Sequence, residues 1–283
     1  MADGYPRYET LSVAQLAPHV LGVELNRPSK LNTFNENMWT DLRELFSAVE
    51  QDGDTRAVVL SAAGRLFTAG LDLSSGGLNM EKKTDTARHA LEIRRTGKLW
   101  QRSLSNIESC GKAVIACVHG QCIGAGLELI SASDIRFCTA DASFTMAEVN
   151  IGMAADVGGL QRFPKILGNQ SLVREVALSG RRLIAAEALQ QGFVSRTFED
   201  KPGMMSAALE LASQIAAKSP IATLSVKEFL NYARDHSVDE SLDYSLTWNM
   251  AMLQGKDMKV AGASILMKQK PTFPNLVDER SKL

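Results

Sequence analysis

Two glycine-rich segments carry the residue types with which a backbone binds negative charge. The first, residues 120–130, contains Gly120, Gly124 and Gly126 and follows the apolar run Ala113–Val118. Glycine lets a ligand approach the backbone closely, and the free N–H groups at a helix start favour negative charge. The segment is therefore a candidate oxyanion hole. A tight turn between a strand and a helix explains the same residues equally well, and the glycine spacing is not the dinucleotide pattern G-x-G-x-x-G.

The second segment, residues 67–72, has a similar arrangement. It follows the apolar run 57–60 and places small residues before an acid. Two turns of this kind, each after a buried strand, can direct two N–H groups at one oxygen. One such donor typically contributes about 3–4 kcal/mol of transition-state stabilisation. When this segment is considered alone, an ordinary loop between a strand and a helix is the alternative.

Three acids lie at positions that suggest chemistry. Glu128 lies inside an apolar stretch, Glu148 follows another, and Asp156 stands in the segment 153–159. If all three line one apolar pocket, burial raises their pKa values, and mutual repulsion makes these pKa values differ from one another. One acid can then act as a base while another keeps its proton. The structural alternatives are a first-turn glutamate for Glu128, a solvated turn for Glu148 and a helix N-cap for Asp156.

The elements that must position these residues alternate between strands and helices in the first part of the chain. Strands are predicted at 19–25, 57–60, Ala113–Val118 and 134–139, and helices over 38–49 and about 84–109. After residue 139 the chain is mostly helical, with an apolar face over 204–217 and a capping box at 237–240. The sequence thus predicts an α/β core over 1–199, a helical oligomerisation region over 200–269 and a tail over 270–283.

Composition excludes several classes of protein. The chain has 283 residues with 31 Lys and Arg against 32 Asp and Glu, so it lacks the broad positive field that nucleic-acid binding uses. No apolar run approaches the roughly 20 residues of a membrane span. The cysteines and histidines show no metal-site spacing, so we expect no metal. Ser281, Lys282 and Leu283 form the peroxisomal signal S-K-L, so we expect an import receptor as partner and the peroxisome or a related organelle as location.

Together the motifs resemble the enoyl-CoA hydratase/isomerase (crotonase) superfamily, over almost the whole chain. The resemblance rests on residues 67–72, 119–128 and 148–158. It implies an α/β spiral of ββα units with a C-terminal helical trimerisation region, and homotrimers that can pair into hexamers. It also implies an acyl-CoA thioester substrate and no separate cofactor, because coenzyme A is part of the substrate. Arg27 and Lys30 are candidate contacts for its phosphates, and surface solubility is the alternative.

Within this superfamily, residues 154–158, 160–162 and 234–238 are similar to the Δ(3,5)-Δ(2,4)-dienoyl-CoA isomerase family. Carried over by position, the resemblance implies that Glu148 is the acid–base group at the substrate α-carbon. It makes Asp156 the acid–base group at the far end of the diene, with the backbone N–H groups of Leu71 and Ala125 holding the thioester oxygen. The implied substrate-binding residues are Phe67, Thr68, Ala69, Gly70, Leu71 and Ala125.

Glu128 departs from this isomerase pattern, which usually has Asp there, and Ala125 replaces a common Gly. Hydratases have Glu at that position, so Glu128 and Glu148 match the hydratase pair and water addition to 2-enoyl-CoA is the alternative activity. Hydratases generally lack an acid at the position of Asp156, which favours the isomerase, with Glu128 orienting or tuning the other two acids. An acyl-CoA-binding or RNA-binding relative without the acids is disfavoured, and the absence of G-x-S-x-G disfavours a serine peptidase.

Overall fold

The computed structural model describes residues 4–74 and 85–276. The strands are β1 (Leu11–Ala17), β2 (Val20–Leu25), β3 (Ala57–Ala62), β4 (Ala113–Val118), β5 (Gln121–Ile123), β6 (Ile135–Thr139), β7 (Ser143–Thr145), β8 (Leu183–Ile184) and β9 (Arg196–Phe198). The helices are α1 (Glu36–Gln51), α2 (Thr86–Ser109), α3 (Ala125–Ser131), α4 (Gly159–Ile166), α5 (Gln170–Ser179), α6 (Ala185–Gln190), α7 (Lys201–Ala216), α8 (Pro220–Ala233), α9 (Val238–Met252) and α10 (Lys256–Met267). Short 3-10 turns lie at Pro28–Lys30 and Glu148–Ile151.

A six-stranded sheet in the order β1-β2-β3-β4-β6-β9 forms the centre of the fold. In this sheet the β1–β2 pair is antiparallel and the other four pairs are parallel. Every residue of β3 is buried, since successive side chains alternate between two covered faces. Val58 and Leu60 enter one apolar cluster, whereas Ala57 and Val59 enter the other. The buried strand predicted before the turn at 67–72 is therefore confirmed, and both of its faces are covered.

A second sheet, in the order β5-β7-β8, brings the two glycine-rich segments together. The Thr68 N–H donates to the Gln121 carbonyl at 3.1 Å, and the Ile123 N–H donates to the Thr68 carbonyl at 3.1 Å. These hydrogen bonds extend the parallel pairing of β5 to the loop that contains Gly70. The ends of two separate βα connections consequently lie side by side.

Helices cover both faces of the large sheet. The apolar stripe of α1 is buried as predicted, with Asn35 as its N-cap, and the Ser103 hydroxyl of α2 donates to the Trp39 carbonyl at 2.7 Å. On the other face α7 packs its small side chains, among them Ala208 and Ala212, against β3 and β4. Small residues let this helix approach the sheet closely. The mixed α/β class predicted from the sequence is confirmed.

Helices α8, α9 and α10 lie beyond α7. Lys227 ties α8 to the core because its buried ammonium group donates to the Ile107 and Lys112 carbonyls and pairs with Asp134 at 2.9 Å. The capping box at the start of α9 forms as predicted, between Ser237 and Glu240. No helix in the described part of the chain is long and apolar enough for a membrane span. The boundaries at 199/200 and 269/270 stay predictions.

Candidate active site

Within the described part of the chain, two backbone N–H groups have no partner at the adjacent turns. The Phe34 N–H donates to the Gly70 carbonyl and the Asp72 N–H donates to the Phe34 carbonyl. Between these bonds, the Leu71 N–H has no partner among the residues that the structure describes. The Ala125 N–H, at the start of α3, also has no hydrogen-bond partner within residues 4–74 and 85–276. Both residues line one cleft, so the arrangement suits an anionic oxygen.

Glycines make this close approach possible. Gly124 has φ +54°, which positions the start of α3, and a Cβ atom on Gly126 would lie 2.2 Å from Thr68 Cγ2. Gly70 has φ +88°, a conformation that side chains rarely adopt. The two segments singled out in the sequence therefore form one structural unit.

Glu148 lies directly beside this unit. A Cβ atom built on Gly124 would be 3.1 Å from Glu148 Oε1, so the carboxylate approaches the start of α3. Glu148 is 8% exposed, and its Oε2 atom has no hydrogen-bond partner among the residues that the structure describes. Burial raises the pKa of Glu148, and the charge of Asp156 raises it further. The solvated-turn alternative for Glu148 is therefore wrong, because its carboxyl group is buried in the cleft.

Glu128 points from α3 to the start of α4. Its Oε1 atom accepts hydrogen bonds from the Val157 N–H at 3.2 Å and the Gly159 N–H at 3.0 Å. Burial raises the pKa of Glu128 to about 8, with repulsion from Glu148 as a second cause. A Cβ atom on Gly159 would lie 2.7 Å from Glu128 Cγ, so this position has room only for glycine. Glu128 is in the first turn of its helix, but its carboxyl group binds the next helix instead.

Asp156 lines the same cleft from the loop before α4. The residue is exposed, and its backbone carbonyl accepts a hydrogen bond from Gln101 Nε2 at 2.7 Å. The N-cap alternative is wrong, because α4 begins at Gly159 with Gly158 as its N-cap and no side-chain bond. Asp156 raises the pKa of both glutamates, which is consistent with three acids converging on one space. In the described ranges no group of three or more His, Cys, Asp or Glu side chains is arranged to hold a metal ion.

The remaining walls of the cleft are mostly apolar. Trp39 and Trp100 stack with ring centroids 5.3 Å apart and planes 14° from parallel. Other apolar lining residues are Leu71, Leu73, Ile123, Ile151, Met153 and Val157. Neither tryptophan was among the predicted site residues. The apolar stripe of α1 identified Trp39 as a core residue, but nothing in the sequence indicated that α2 would place Trp100 over it.

Arg27 has a structural partner. Its guanidinium group lies 3.3 Å from Asp72 Oδ2, next to Thr33. Hydrogen bonds from Ser74, Thr33 and Arg27 lower the pKa of Asp72 to about 2. This ion pair fixes the chain immediately after Leu71. Lys30, the other candidate contact for the phosphates, is exposed.

Of the predicted binding residues, Ala69, Gly70, Leu71 and Ala125 line the cleft. Phe67 and Thr68 are buried behind it, where Thr68 pairs with β5 and its hydroxyl group donates to the Asn32 carbonyl at 2.7 Å. Chemically, the cleft combines two backbone amides that have no partner among the described residues, a buried carboxyl group beside them and the more exposed carboxyl group of Asp156. Such a site can stabilise an oxyanion while protons move between two carbon atoms.

Comparison with known proteins agrees with this geometry. A model of the enoyl-CoA hydratase/isomerase family matches residues 17–275. A Mus musculus protein named mitochondrial Delta(3,5)-Delta(2,4)-dienoyl-CoA isomerase is 51% identical over 253 residues, covering 89% of this chain and 77% of that protein. The peroxisomal protein of that name from Arabidopsis thaliana is 38% identical, covering 95% and 98%.

Solved structures show the same fold. The enoyl-CoA hydratase from Bacillus anthracis superposes with a TM-score of 0.85 at 25% identity, covering 94% of this chain and 99% of that one. The family match extends through both glycine-rich segments and all three acids of the cleft. The chain belongs to the enoyl-CoA hydratase/isomerase family.

Proposed function

We propose that this protein is an isomerase that converts 3,5-dienoyl-CoA into 2,4-dienoyl-CoA during fatty-acid β-oxidation. The observation that carries the proposal is the position of Asp156, which shares an apolar cleft with the buried Glu148. A double bond can be moved along a chain only if a proton is removed at one carbon and added at another. The relatives named dienoyl-CoA isomerase, one of which is 51% identical, support the same reaction.

Glu148 is the base in the proposed first step. The α-proton of a 3,5-dienoyl thioester is acidified by the carbonyl group and the conjugated diene. Glu148 removes this proton, and the electron pair of the C–H bond enters the conjugated system as a dienolate. The N–H groups of Leu71 and Ala125 stabilise the charge on the thioester oxygen without reorganisation. The buried position of Glu148 beside Gly124 supports this role.

Asp156 is the acid in the second step. The dienolate takes a proton from Asp156 at carbon 6, the far end of the diene, and the double bonds settle at carbons 2 and 4. The substrate loses one proton and gains one, so the reaction is redox-neutral. Exchange with solvent then returns a proton to Asp156 and removes one from Glu148. Each acid–base group of this kind contributes roughly 10²–10⁴-fold. Coenzyme A enters as part of the substrate, and the mechanism calls for no other cofactor.

Glu128 is proposed to orient the turn that carries Asp156 and to tune its neighbours electrostatically. Its two hydrogen bonds from the Val157 and Gly159 N–H groups support this role. The alternative function is hydration of 2-enoyl-CoA, because Glu128 and Glu148 line the same cleft as a glutamate pair. Each function makes a different product.

Product identification separates the two functions. The purified protein is incubated with 3,5-dienoyl-CoA and, separately, with 2-enoyl-CoA, and the products are identified by absorbance and mass spectrometry. We expect 2,4-dienoyl-CoA from the first substrate and little hydroxyacyl-CoA from the second. Efficient hydration without diene movement would overturn the proposal. Loss of hydration alone in Glu128→Gln would strengthen the hydratase alternative.

We also propose that the chain assembles into homotrimers, which can pair into hexamers. Supporting evidence comes from α9, where Leu242, Leu246 and Met250 are between 63% and 68% exposed at four-residue spacing. An apolar stripe of this size on a helix is typical of an interface between copies of the chain. The helices α8 and α10 add further exposed apolar residues, among them Leu230 and Ile265.

For location, we propose the peroxisome or a related organelle of fatty-acid oxidation. The support is the tripeptide Ser281-Lys282-Leu283, which lies outside the described residues, and the peroxisomal relative from Arabidopsis thaliana. An import receptor that reads this tripeptide is the corresponding partner. Import of a fluorescent fusion into peroxisomes, and its loss when Leu283 is deleted, tests this proposal.

A further inference from the structure

Helix α2 binds the backbone of Asp156 from outside the cleft. Gln101 Nε2 lies 2.7 Å from the Asp156 carbonyl oxygen, across 55 residues of sequence. Gln101 does not line the cleft, although the preceding residue, Trp100, does. The side chain is half-buried, and its amide group makes no other hydrogen bond within the described ranges. Gln101 is therefore placed to fix Asp156 without touching substrate.

A second connection from α2 supports the same turn. Arg162 of α4 donates through Nε and Nη2 to Glu108 Oε2, at 3.1 and 3.0 Å, and through Nη2 to the Ser105 hydroxyl at 3.0 Å. A Cβ atom on Gly158 would lie 2.0 Å from Arg162 Nη1, so the guanidinium group lies directly against this turn. The ion pair is largely buried, with side-chain exposures of 11% and 17%.

The restraints on this turn act on different atoms. Glu128 holds the N–H groups of Val157 and Gly159, and Arg162 packs against Gly158. Only the Gln101 hydrogen bond, among these, acts on Asp156 itself. Displacement of a reacting group by about 1 Å can cost roughly 10²-fold in rate. Loss of the Gln101 hydrogen bond should therefore shift Asp156 relative to the substrate while the fold is retained.

We propose that Gln101 is a positioning residue for Asp156, which sets how efficiently a proton reaches the far end of the diene. This inference rests on the proposed isomerase function. It makes a distinct prediction because the dienolate has two fates. It can be reprotonated at the α-carbon by Glu148, or it can be protonated at carbon 6 by Asp156. Gln101 should affect only the second fate.

The test is a partition measurement in deuterium oxide. The substrate is 3,5-dienoyl-CoA, and the ratio of recovered α-deuterated substrate to 2,4-dienoyl product is measured by mass spectrometry. Gln101→Met removes the N–H donor and keeps an unbranched side chain of similar length. Arg102→Met is the matched control, because Arg102 is the next residue of α2 and is exposed. Thermal unfolding of each variant checks that the fold is retained.

For Gln101→Met, we expect the ratio of exchanged substrate to product to rise about tenfold and kcat for isomerisation to fall by a similar factor, with KM within about twofold. The Arg102→Met variant should give the same ratio of exchanged substrate to product as the wild-type protein. An unchanged ratio in Gln101→Met, or an equal loss of exchange and product, would overturn the inference. If the wild-type protein makes no 2,4-diene at all, the proposed function fails instead, so the two failures are distinguishable.

Discussion

The Glu128 carboxyl group accepts a hydrogen bond from the backbone N–H of Gly159, with 3.0 Å between Oε1 and N. This bond joins the helix that begins at the candidate oxyanion hole to the turn that carries Asp156. Since burial raises the pKa of Glu128 to about 8, the folded protein keeps a proton on this residue at neutral pH. The site thus contains a neutral acid close to the two groups that are proposed to transfer protons.

The raised pKa of Glu128 predicts a pH dependence of stability. In the unfolded chain the pKa is near 4.5, so between about pH 4.5 and 8 the folded state binds more protons. The free energy of unfolding should then fall with rising pH across this window, by at most about 1.4 kcal/mol per unit. The Glu128→Gln variant should lack this pH dependence. Its free energy of unfolding should therefore exceed that of the wild-type protein by the largest amount near pH 8. Urea unfolding of both proteins at pH 5, 6.5 and 8 measures this difference in the free energy of unfolding. Parallel pH profiles for the two proteins would contradict a raised pKa for Glu128.

Glu148→Gln should abolish both proton transfers. A glutamine side chain is no base, so neither α-proton exchange nor diene movement can begin. We expect kcat to fall by about 10³-fold, within the range for acid–base groups. Exchange of the α-proton is followed in deuterium oxide alongside product formation. A variant that still exchanges this proton at the wild-type rate would exclude Glu148 as the base.

The Ala125 N–H can be removed while the start of the helix is kept. Ala125 is the first residue of α3, a position at which proline is well tolerated in helices. Ala125→Pro lacks the N–H group, so kcat should fall by about 10²–10³-fold. Ala125→Gly retains the N–H group and should lose far less activity. Equal activities of the two variants would argue against an oxyanion role for this amide.

The exposed stripe of α9 predicts that a charge at its centre weakens assembly. Leu246 is 67% exposed in the single chain, and we expect it to be covered by a second copy. Leu246→Glu should reduce the particle mass measured by light scattering at micromolar concentration. Thr247→Glu, at the neighbouring exposed position, is the matched control. The same trimeric or hexameric mass for both variants would contradict the proposed interface.

Strong periodic patterns were sufficient to predict much of the fold. The stripe that predicted α1 is buried in full, and β4 has the predicted bounds Ala113–Val118. Helix α2 begins at Thr86, two residues after the predicted start at about 84, because Asp85 is its N-cap. The strands β5, β7, β8 and β9 have two or three residues each, too few for a period to be recognised.

The site was predicted less completely, for a physical reason. The glycines at 70, 124 and 126 have local signatures, since their backbone conformation and lack of a side chain are properties of the residue type. The convergence of the acids is different, because it depends on a turn between β7 and α4 that no periodicity describes. Gln101 reaches this turn, and Trp100 lines the same cleft, from a helix about 55 residues earlier in the chain, and such placements leave no signal in a single sequence.

In the proposed reaction, a proton leaves the α-carbon through Glu148 and a different proton arrives at carbon 6 through Asp156. The most direct measurement follows 3,5-dienoyl-CoA in deuterium oxide with the wild-type protein and Asp156→Asn, locating deuterium by NMR. The wild-type protein should give 2,4-dienoyl-CoA labelled at carbon 6. Asp156→Asn, with an unaltered melting temperature, should return substrate labelled at the α-carbon and no diene product. Near-normal formation of the 2,4-diene by Asp156→Asn would contradict the account.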